Sequence, residues 1–518
     1  MKTLYLSILL SAVAAIPMAQ AQNVYYVTPD GTGDGSSWES ATTLAQAITS
    51  ASGSADAADI ILVKKGTYTA PADDGLGFYF QTKPNIAIYG NCEGTESATD
   101  LPVIDGDTPL ETYLVAPVDD SNLPLSRVIT IYKGSVSFTG FDISGGTASL
   151  STTRGLNEGG AVWIYGQGVL QNCNIHGASS LKGGGVFLSN FEADKVARLN
   201  SCRVYDCKTV GDGKDALGGG VYMKNGTSVH NCKVENNEAS YAGGGIYCEA
   251  SGFITNTVVA NNVAVRYSSG AIHNRGGIIA NCLITGNEAA LESGAITLGS
   301  EEAQVINSTI VNNQLNNTSG SAISGGIMVE NGHVKNCIVW GNRVNQGSTE
   351  RDIRISGLRT GTLTNTCYKV ASVVPADAQI VNCIQDDPLF VNAESGDYHL
   401  AEGSPCINAG SNDLYALVSA TVDLDGNDRI QDTTIDMGAY EYGDDISTGI
   451  GEFSNAPKIY AAAGRLVIEG AEGEMAVFDI LGRICHQQVV SGRVELPLSS
   501  GIYIVRLNGI SQKISVRQ

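Results

Sequence analysis

Three groups of residues have types and spacings that could do chemistry. Phe187, Tyr222 and Tyr247 each stand second after a Gly-Gly pair, behind Val186, Val221 and Ile246. If that column faces outward, the rings form an aromatic strip of the kind on which sugar rings lie; if inward, they are core. Alternation behind the aliphatic residues favours the outward face. His273 and Arg275 interrupt the same pattern one repeat later, with Arg266 close by. An imidazole beside a guanidinium could line a groove as base and cation, although solvated positions of a repeat carry such residues as well. Asp423, Asp425, Asn427 and Asp428 alternate like half of a calcium loop. Such a loop needs Gly at its sixth position and Glu at its twelfth, where this chain has Asp428 and Thr434. The segment therefore reads first as a turn, with Ca²⁺ as the possible cofactor. The Asp pairs Asp73-Asp74, Asp119-Asp120, Asp386-Asp387 and Asp444-Asp445 all lie outside the regular repeats.

The elements that must position these residues are the repeats themselves. From about residue 155 to 345 two phrases recur at solenoid spacing. One is Gly-Gly and a short apolar strand, as in Gly184-Gly185-Val186-Phe187-Leu188 and Gly219-Gly220-Val221-Tyr222-Met223. In this reading the aromatic column also holds Val162, Ile272, Ile296 and Met328. The other phrase is apolar-x-Asn-Cys-x-Ile/Val, as in Leu170-Gln171-Asn172-Cys173-Asn174-Ile175 and Val229-His230-Asn231-Cys232-Lys233-Val234. Its two apolar ends lie five residues apart. On one straight strand they would face opposite ways, so the chain must bend at the Asn, which tolerates left-handed backbone angles. A second turn column (Gly177, Asp206, Asn236, Asn261, Gly286, Asn312, Gly341) and an Asn column (Asn237, Asn262, Asn287, Asn313, Asn342) follow. Short strands separated by fixed turns and stacked Asn side chains predict the coils of a parallel β-helix.

Cys173, Cys202, Cys232, Cys282 and Cys337 share one column with Thr257 and Ser308. That exchange predicts an inward stack of small side chains. Parallel Cβ vectors are poorly aimed for disulfides, so these thiols are expected to be free, with Cys202 and Cys207 as the best exception.

Length and composition agree with a solenoid. A 518-residue chain with 62 Gly and 43% hydrophobic residues is too long for one ordinary core and too apolar for disorder. A net charge of −22 excludes the phosphate-binding surface of a nucleic-acid partner. Lys2, the apolar run Leu4 to Ile16 and Ala19-Gln20-Ala21 read as a signal peptide over 1–21, too short for a membrane span. No later stretch is long and apolar enough to cross a bilayer, and a monomer is expected.

Val24-Tyr25-Tyr26-Val27, an amphipathic helix over Trp38 to Ala51 and Ile60-Ile61-Leu62-Val63 are expected to cap the first coil. Tyr26-Val27-Thr28-Pro29-Asp30-Gly31, Gly35-Ser36-Ser37-Trp38 and Val63-Lys64-Lys65-Gly66-Thr67-Tyr68 resemble the opening of bacterial pectate-lyase-like β-helix proteins. Asp387-Pro388-Leu389-Phe390, Asp397-Tyr398-His399-Leu400, Ser404-Pro405-Cys406-Ile407-Asn408-Ala409-Gly410 and Asp436-Met437-Gly438-Ala439-Tyr440-Glu441 resemble the closing segment of the choice-of-anchor class. The resemblance covers about 22 to 442. It implies a right-handed parallel β-helix with an N-terminal cap and a closing segment. It implies little chemistry, because one fold hosts many functions. Lyases of this fold use an Arg or Lys base with Ca²⁺ on acidic polysaccharide, and its hydrolases use clustered Asp. The Gly-His-Gly and Arg-Ile-Lys phrases of polygalacturonases and the paired Arg phrases of classical pectate lyases are missing.

A polar linker at 443–457 precedes short strands over 458–518, expected to form a small Ig-like β-sandwich. Asp479-Ile480-Leu481-Gly482-Arg483, Ser500-Gly501-Ile502-Tyr503-Ile504-Val505 and the terminal strand from Lys513 resemble the C-terminal sorting domain of type IX (Por) secretion. That resemblance implies the type IX machinery as a partner and release from, or attachment to, the outer cell surface. The whole chain thus reads as all-β, a secreted or surface protein for adhesion or glycan binding without catalysis. The alternative is a polysaccharide lyase or glycoside hydrolase acting on acidic polysaccharide.

Overall fold

In the computed structural model, residues 23–443 are described except for short stretches, the longest being 149–156 and 317–322, together with most of 458–516. The expected signal peptide, most of the linker, and Ile480 to Arg483 lie outside the described residues. The chain divides into two compact units at Tyr442/Gly443.

The first unit is a parallel β-helix. Its strands pair in parallel from coil to coil, Val186 with Val221 and then Ile246, and Leu199 with Val229 and then Ile254. Two sheets run from the first coils to the last, and a third, of short strands, spans Ser179 to Glu350. The bends fall where the sequence places them. Asn172, Asn231, Asn256, Asn281 and Asn336 have φ between 48° and 52°, and Asp206, Asn236, Asn261 and Asn312 also take positive φ. Between the bends Val229, Val234, Ile254 and Val259 turn inward into one continuous core.

The second Asn column is a buried hydrogen-bonded ladder. Asn237 N donates to Asn262 Oδ1 (3.0 Å), Asn262 N to Asn287 Oδ1 (2.9 Å), and Asn287 N to Asn313 Oδ1 (3.0 Å). The side-chain Nδ2 groups bond the same oxygens, and Asp352 Oδ1 ends the run by accepting from Asn342. Each Asn thus satisfies backbone that the turn leaves unpaired. The Cys column works the same way. Cys202 N donates to Cys232 Sγ (3.4 Å), Cys232 N to Thr257 Oγ1 (3.2 Å), and Cys282 N to Ser308 Oγ (3.1 Å). The position needs a small side chain with an acceptor, which Cys, Thr and Ser all supply. No disulfide joins any of the twelve cysteines in this structure.

At the N-terminus the strand Val24–Val27 pairs with Asp59–Lys64. The helix is Leu44–Ser50, shorter than the expected span from Trp38. Thr42 is drawn into a bridge with Val27, and Thr43 Oγ1 caps the helix by accepting from Gln46 N (3.2 Å). Leu44, Ala47 and Ile48 lie over the core as the periodicity predicts.

The closing segment does not simply plug the end. It runs back along the side of the solenoid on the first Asn column. Asn365 Nδ2 donates to Ala409 O, Asn336 Nδ2 to Ser411 O, Asn307 Nδ2 to Asp436 O and Asn256 Nδ2 to Asp423 O, at 2.7–3.0 Å. Ladder contacts within this column are sparser, for example Asn336 Nδ2 to Asn307 Oδ1 at 2.9 Å.

The second unit is a five-stranded antiparallel sheet. Its long strand Arg465–Asp479 pairs at its start with Lys458–Ala462, at its end with Gly501–Leu507, and throughout with Ile484–Pro497. Leu466, Met475, Val477, Leu496 and Val505 form its small core.

Candidate functional site

The aromatic column runs along the outer side of the main sheet, but its membership differs from the sequence reading. Register pairs Trp163 with Phe187, Phe187 with Tyr222, Tyr222 with Tyr247, Tyr247 with His273, and His273 with Thr297. Val162, Ile272 and Ile296 instead pair with the inward Val186, Ile246 and Ile327. The cause is a one-residue slip in the Gly-Gly phrase. It has three small residues, and the third is Gly in Gly185, Gly220 and Gly245 but Ala in Ala161, Ala271 and Ala295. Counting from the Gly pair therefore misplaces the strand in three coils. The middle residue cannot vary: a Cβ on Gly184, Gly219 or Gly244 would stand 2.3 Å from the carbonyl of the next coil's glycine.

The five rings of this column stack face to face. Centroids are 6.4 Å apart for Trp163–Phe187, 5.2 Å for Phe187–Tyr222 and for Tyr222–Tyr247, and 5.0 Å for Tyr247–His273, all within 15° of parallel. Tyr132 continues the stack beyond Trp163. These rings form a second apolar layer outside the main core, with Leu217 and Ala242 against them, and Phe187 and Tyr222 are only 2% exposed. The ring faces are spent on one another. They therefore cannot serve as open platforms for sugar rings, which the outward reading of Phe187, Tyr222 and Tyr247 required.

What this layer presents is a rim of charged groups. Glu249 lies near enough to Tyr222, and Arg275 to Tyr247, to act on the two hydroxyls. Lys224 Nζ lies 3.7 Å from Glu249 Oε2 and 5.7 Å from the Phe187 ring, and Lys182 Nζ lies 5.7 Å from the Tyr222 ring. The side chains of Lys224 and Glu249 are about 40% exposed (38% and 41%). At the N-terminal end Trp163 Nε1 donates to Glu158 Oε2 (3.1 Å), beside the fully buried Arg127. Burial pushes both tyrosine hydroxyls up, so they stay protonated. Arg275 carries its charge at any working pH, and its neighbours Tyr247 and Glu249 push it further up.

His273 and Arg275 come together at the C-terminal end of the stack, but not as an exposed base. Burial, and then the Arg275 charge, push the imidazole down to about 4, and Nδ1 lies 3.3 Å from Ser269 Oγ. A neutral, enclosed ring makes a stacking element. Arg266 is apart from this rim, 3.5 Å from Asp212. Sequence reasoning missed Trp163, Lys182, Lys224 and Glu249. Their signal was the coil register, which only the correct third small residue reveals.

The calcium-like segment is a turn. Asp423 is buried; its Oδ1 accepts Asp425 N (3.0 Å) and Asn427 N (2.8 Å), and its Oδ2 accepts Glu441 N (3.0 Å). Asp425 Oδ2 is bound to His399 Nε2 (2.6 Å), whose Nδ1 is bound to Asp397 (2.6 Å). Asp423 therefore has its lone pairs directed at backbone N–H groups, and Asp425 faces a cation. Asp428 is placed by a bridge to Val422. Among the described residues no cluster of three or more His, Cys, Asp or Glu side chains could hold a metal ion, and no helix is long and apolar enough to cross a membrane.

No family model matches the chain, and no curated protein does. Several solved structures do. One is the pectate lyase Pel9A, at 15% identity and a TM-score of 0.49, over 82% of this chain and 97% of that one. Another is XylC in complex with xylose, at 10% identity and a TM-score of 0.38, over 94% of this chain and all of that one. Likeness at these identities concerns the fold only, and the parallel β-helix described above rests on its own strand pairings.

Proposed function

We propose that the chain is a secreted or cell-surface β-helix protein that binds a glycan along the rim of the aromatic stack, without catalysing its cleavage. The observation that carries this reading is the alternation of Lys224, Glu249 and Arg275 over the edges of Tyr222 and Tyr247. Charged donors and an acceptor in a row, one coil apart and backed by a rigid ring stack, match the repeating hydroxyls of a polysaccharide. Ligand contact falls to this rim and to ring edges, not to ring faces. Export through the type IX machinery, with the C-terminal β-domain as sorting signal, is part of the same reading and is supported by the two terminal sequence segments.

The test incubates the purified chain with acidic and neutral polysaccharides, with and without Ca²⁺. Retention on an immobilised glycan, with no unsaturated product and no new reducing ends, supports binding. Ca²⁺-dependent unsaturated product would replace the reading with a lyase, and reducing ends alone with a hydrolase.

A further inference from the structure

Five of the twelve cysteines, Cys173, Cys202, Cys232, Cys282 and Cys337, share the inward column. Those of the inward column stand one above another and bond backbone carbonyls, as Cys202 Sγ does with Leu170 O (3.3 Å) and Cys337 Sγ with Lys335 O (3.1 Å). Cys367 and Cys406 are arranged differently. Cys367 follows the inward Thr366 and pairs in register with Ile338, so its side chain points out of the solenoid. Cys406 belongs to the closing segment that lies on that outer face. Both are fully buried in one small apolar cluster with Ile338, Leu400 and Met437. Cys367 Sγ donates to Asp386 O (3.4 Å), and Cys406 is the neighbour that most strongly pushes the Cys367 thiol up. The backbone around them is fixed from both sides: Asn365 Nδ2 donates to Ala409 O (3.0 Å), and Met437 N to Cys406 O (3.1 Å).

We propose that Cys367 and Cys406 form a disulfide that fastens the closing segment to the C-terminal coils of the solenoid. Side chains that come from different segments into one buried cluster are free of the parallel Cβ aim that the inward column imposes. The oxidant is a small-molecule or protein disulfide, for which glutathione disulfide serves as probe. One Cys thiolate attacks a sulfur of the probe and expels one glutathione thiol, leaving a mixed disulfide. The second Cys thiolate displaces the other glutathione. Two protein S–H bonds and the probe's S–S bond break; the Cys367–Cys406 bond and two glutathione S–H bonds form. The protein loses two electrons and the probe gains them. In the docked segment both sulfurs are closed off, and the neighbouring Cys406, together with burial, pushes the Cys367 thiol well up. Exchange therefore occurs as the segment docks during folding, when the sulfurs are still accessible.

The experiment refolds the full chain from reducing denaturant in a glutathione disulfide/glutathione buffer. Remaining thiols are alkylated under denaturing conditions and the peptides mapped without reduction. The same mapping on chain exported by cells to an oxidising compartment covers a failure to refold. The expected result is a peptide containing Cys367 joined to one containing Cys406, lost in Cys406→Ser and kept in Cys383→Ser. Alkylation of both cysteines in the folded chain, or a bond from either to Cys383, would overturn the proposal.

Discussion

Arg429 and Glu441 face each other at 3.2 Å with their side chains only 1% and 2% exposed. The guanidinium also donates to Gly438 O (2.7 Å), and Glu441 accepts from Asp436 N (3.0 Å). Burial pushes the Glu441 carboxyl up to about 8, against the pull of Arg429. The pair lies beside Tyr415, whose hydroxyl accepts from Asn281 Nδ2 (2.8 Å) on the solenoid. The closing segment is thus built around a buried charge pair and tied to the Asn column by the same local structure.

Above about pH 8, where the Glu441 carboxyl is ionised, Glu441→Gln removes the charge opposite a buried guanidinium. Breaking one partner of such a pair costs about 3–5 kcal/mol. Hydrogen exchange in residues 397–442 is expected to accelerate strongly while the ladder coils Asn237 to Asn313 stay protected. Equal protection in the variant would show that the pair does not hold the segment.

His399 supplies a pH dependence. Its bond to Asp425, helped by that to Asp397, raises the imidazole from 6.5 to about 9. A raised folded value means stability that is fully present below pH 6.5 and lost as the pH rises through about 9. The closing segment is expected to open more readily at pH 9.5 than at pH 6 (values chosen about half a unit outside that window). His399→Ala should flatten that slope; an unchanged slope in the variant would refute the assignment.

Much of this fold could be read from residue spacing. The bends at Asn172, Asn231 and Asn281, the Asn237-to-Asn342 ladder and the inward Cys column follow from side-chain parity and from which residues accept positive φ. The path of the closing segment could not be read, because its docking uses Asn side chains whose partners lie from 44 residues away in sequence, as for Asn365 and Ala409, to 167, as for Asn256 and Asp423. The aromatic column was half legible. Its outward direction followed from alternation. Its burial depends on turns folding over the sheet, as Leu217 and Ala242 do, and its register on a Gly-for-Ala exchange that spacing alone hides.

That exchange makes a paired prediction. A Cβ on Gly244 would meet Gly270 O at 2.3 Å, whereas on Gly245 the nearest atoms are at 3.0 Å, and Ala271 occupies the equivalent place one coil on. Gly244→Ala is expected to cost about 3 kcal/mol or more, and Gly245→Ala about 1 kcal/mol, by chemical denaturation. Equal costs would contradict the register.

Within the ladder, Asn287→Ala strips the partner from Asn262 N and leaves the carbonyls of Val259 and Thr285 without their Nδ2 donor. Each buried group so orphaned costs about 1–3 kcal/mol. Exchange of the Asn262 amide should rise toward that of an opened coil. A silent substitution would mean that the ladder is not a source of stability.

The most direct measurement of the account's central claim is affinity electrophoresis in the polysaccharide that retains the chain, comparing wild type with Lys224→Ala–Arg275→Ala. Two charge-assisted contacts at about 1.5 kcal/mol each predict a loss of roughly a hundredfold in retention, with thermal stability nearly unchanged. Undiminished retention by a folded double variant would contradict binding at the rim of the aromatic stack.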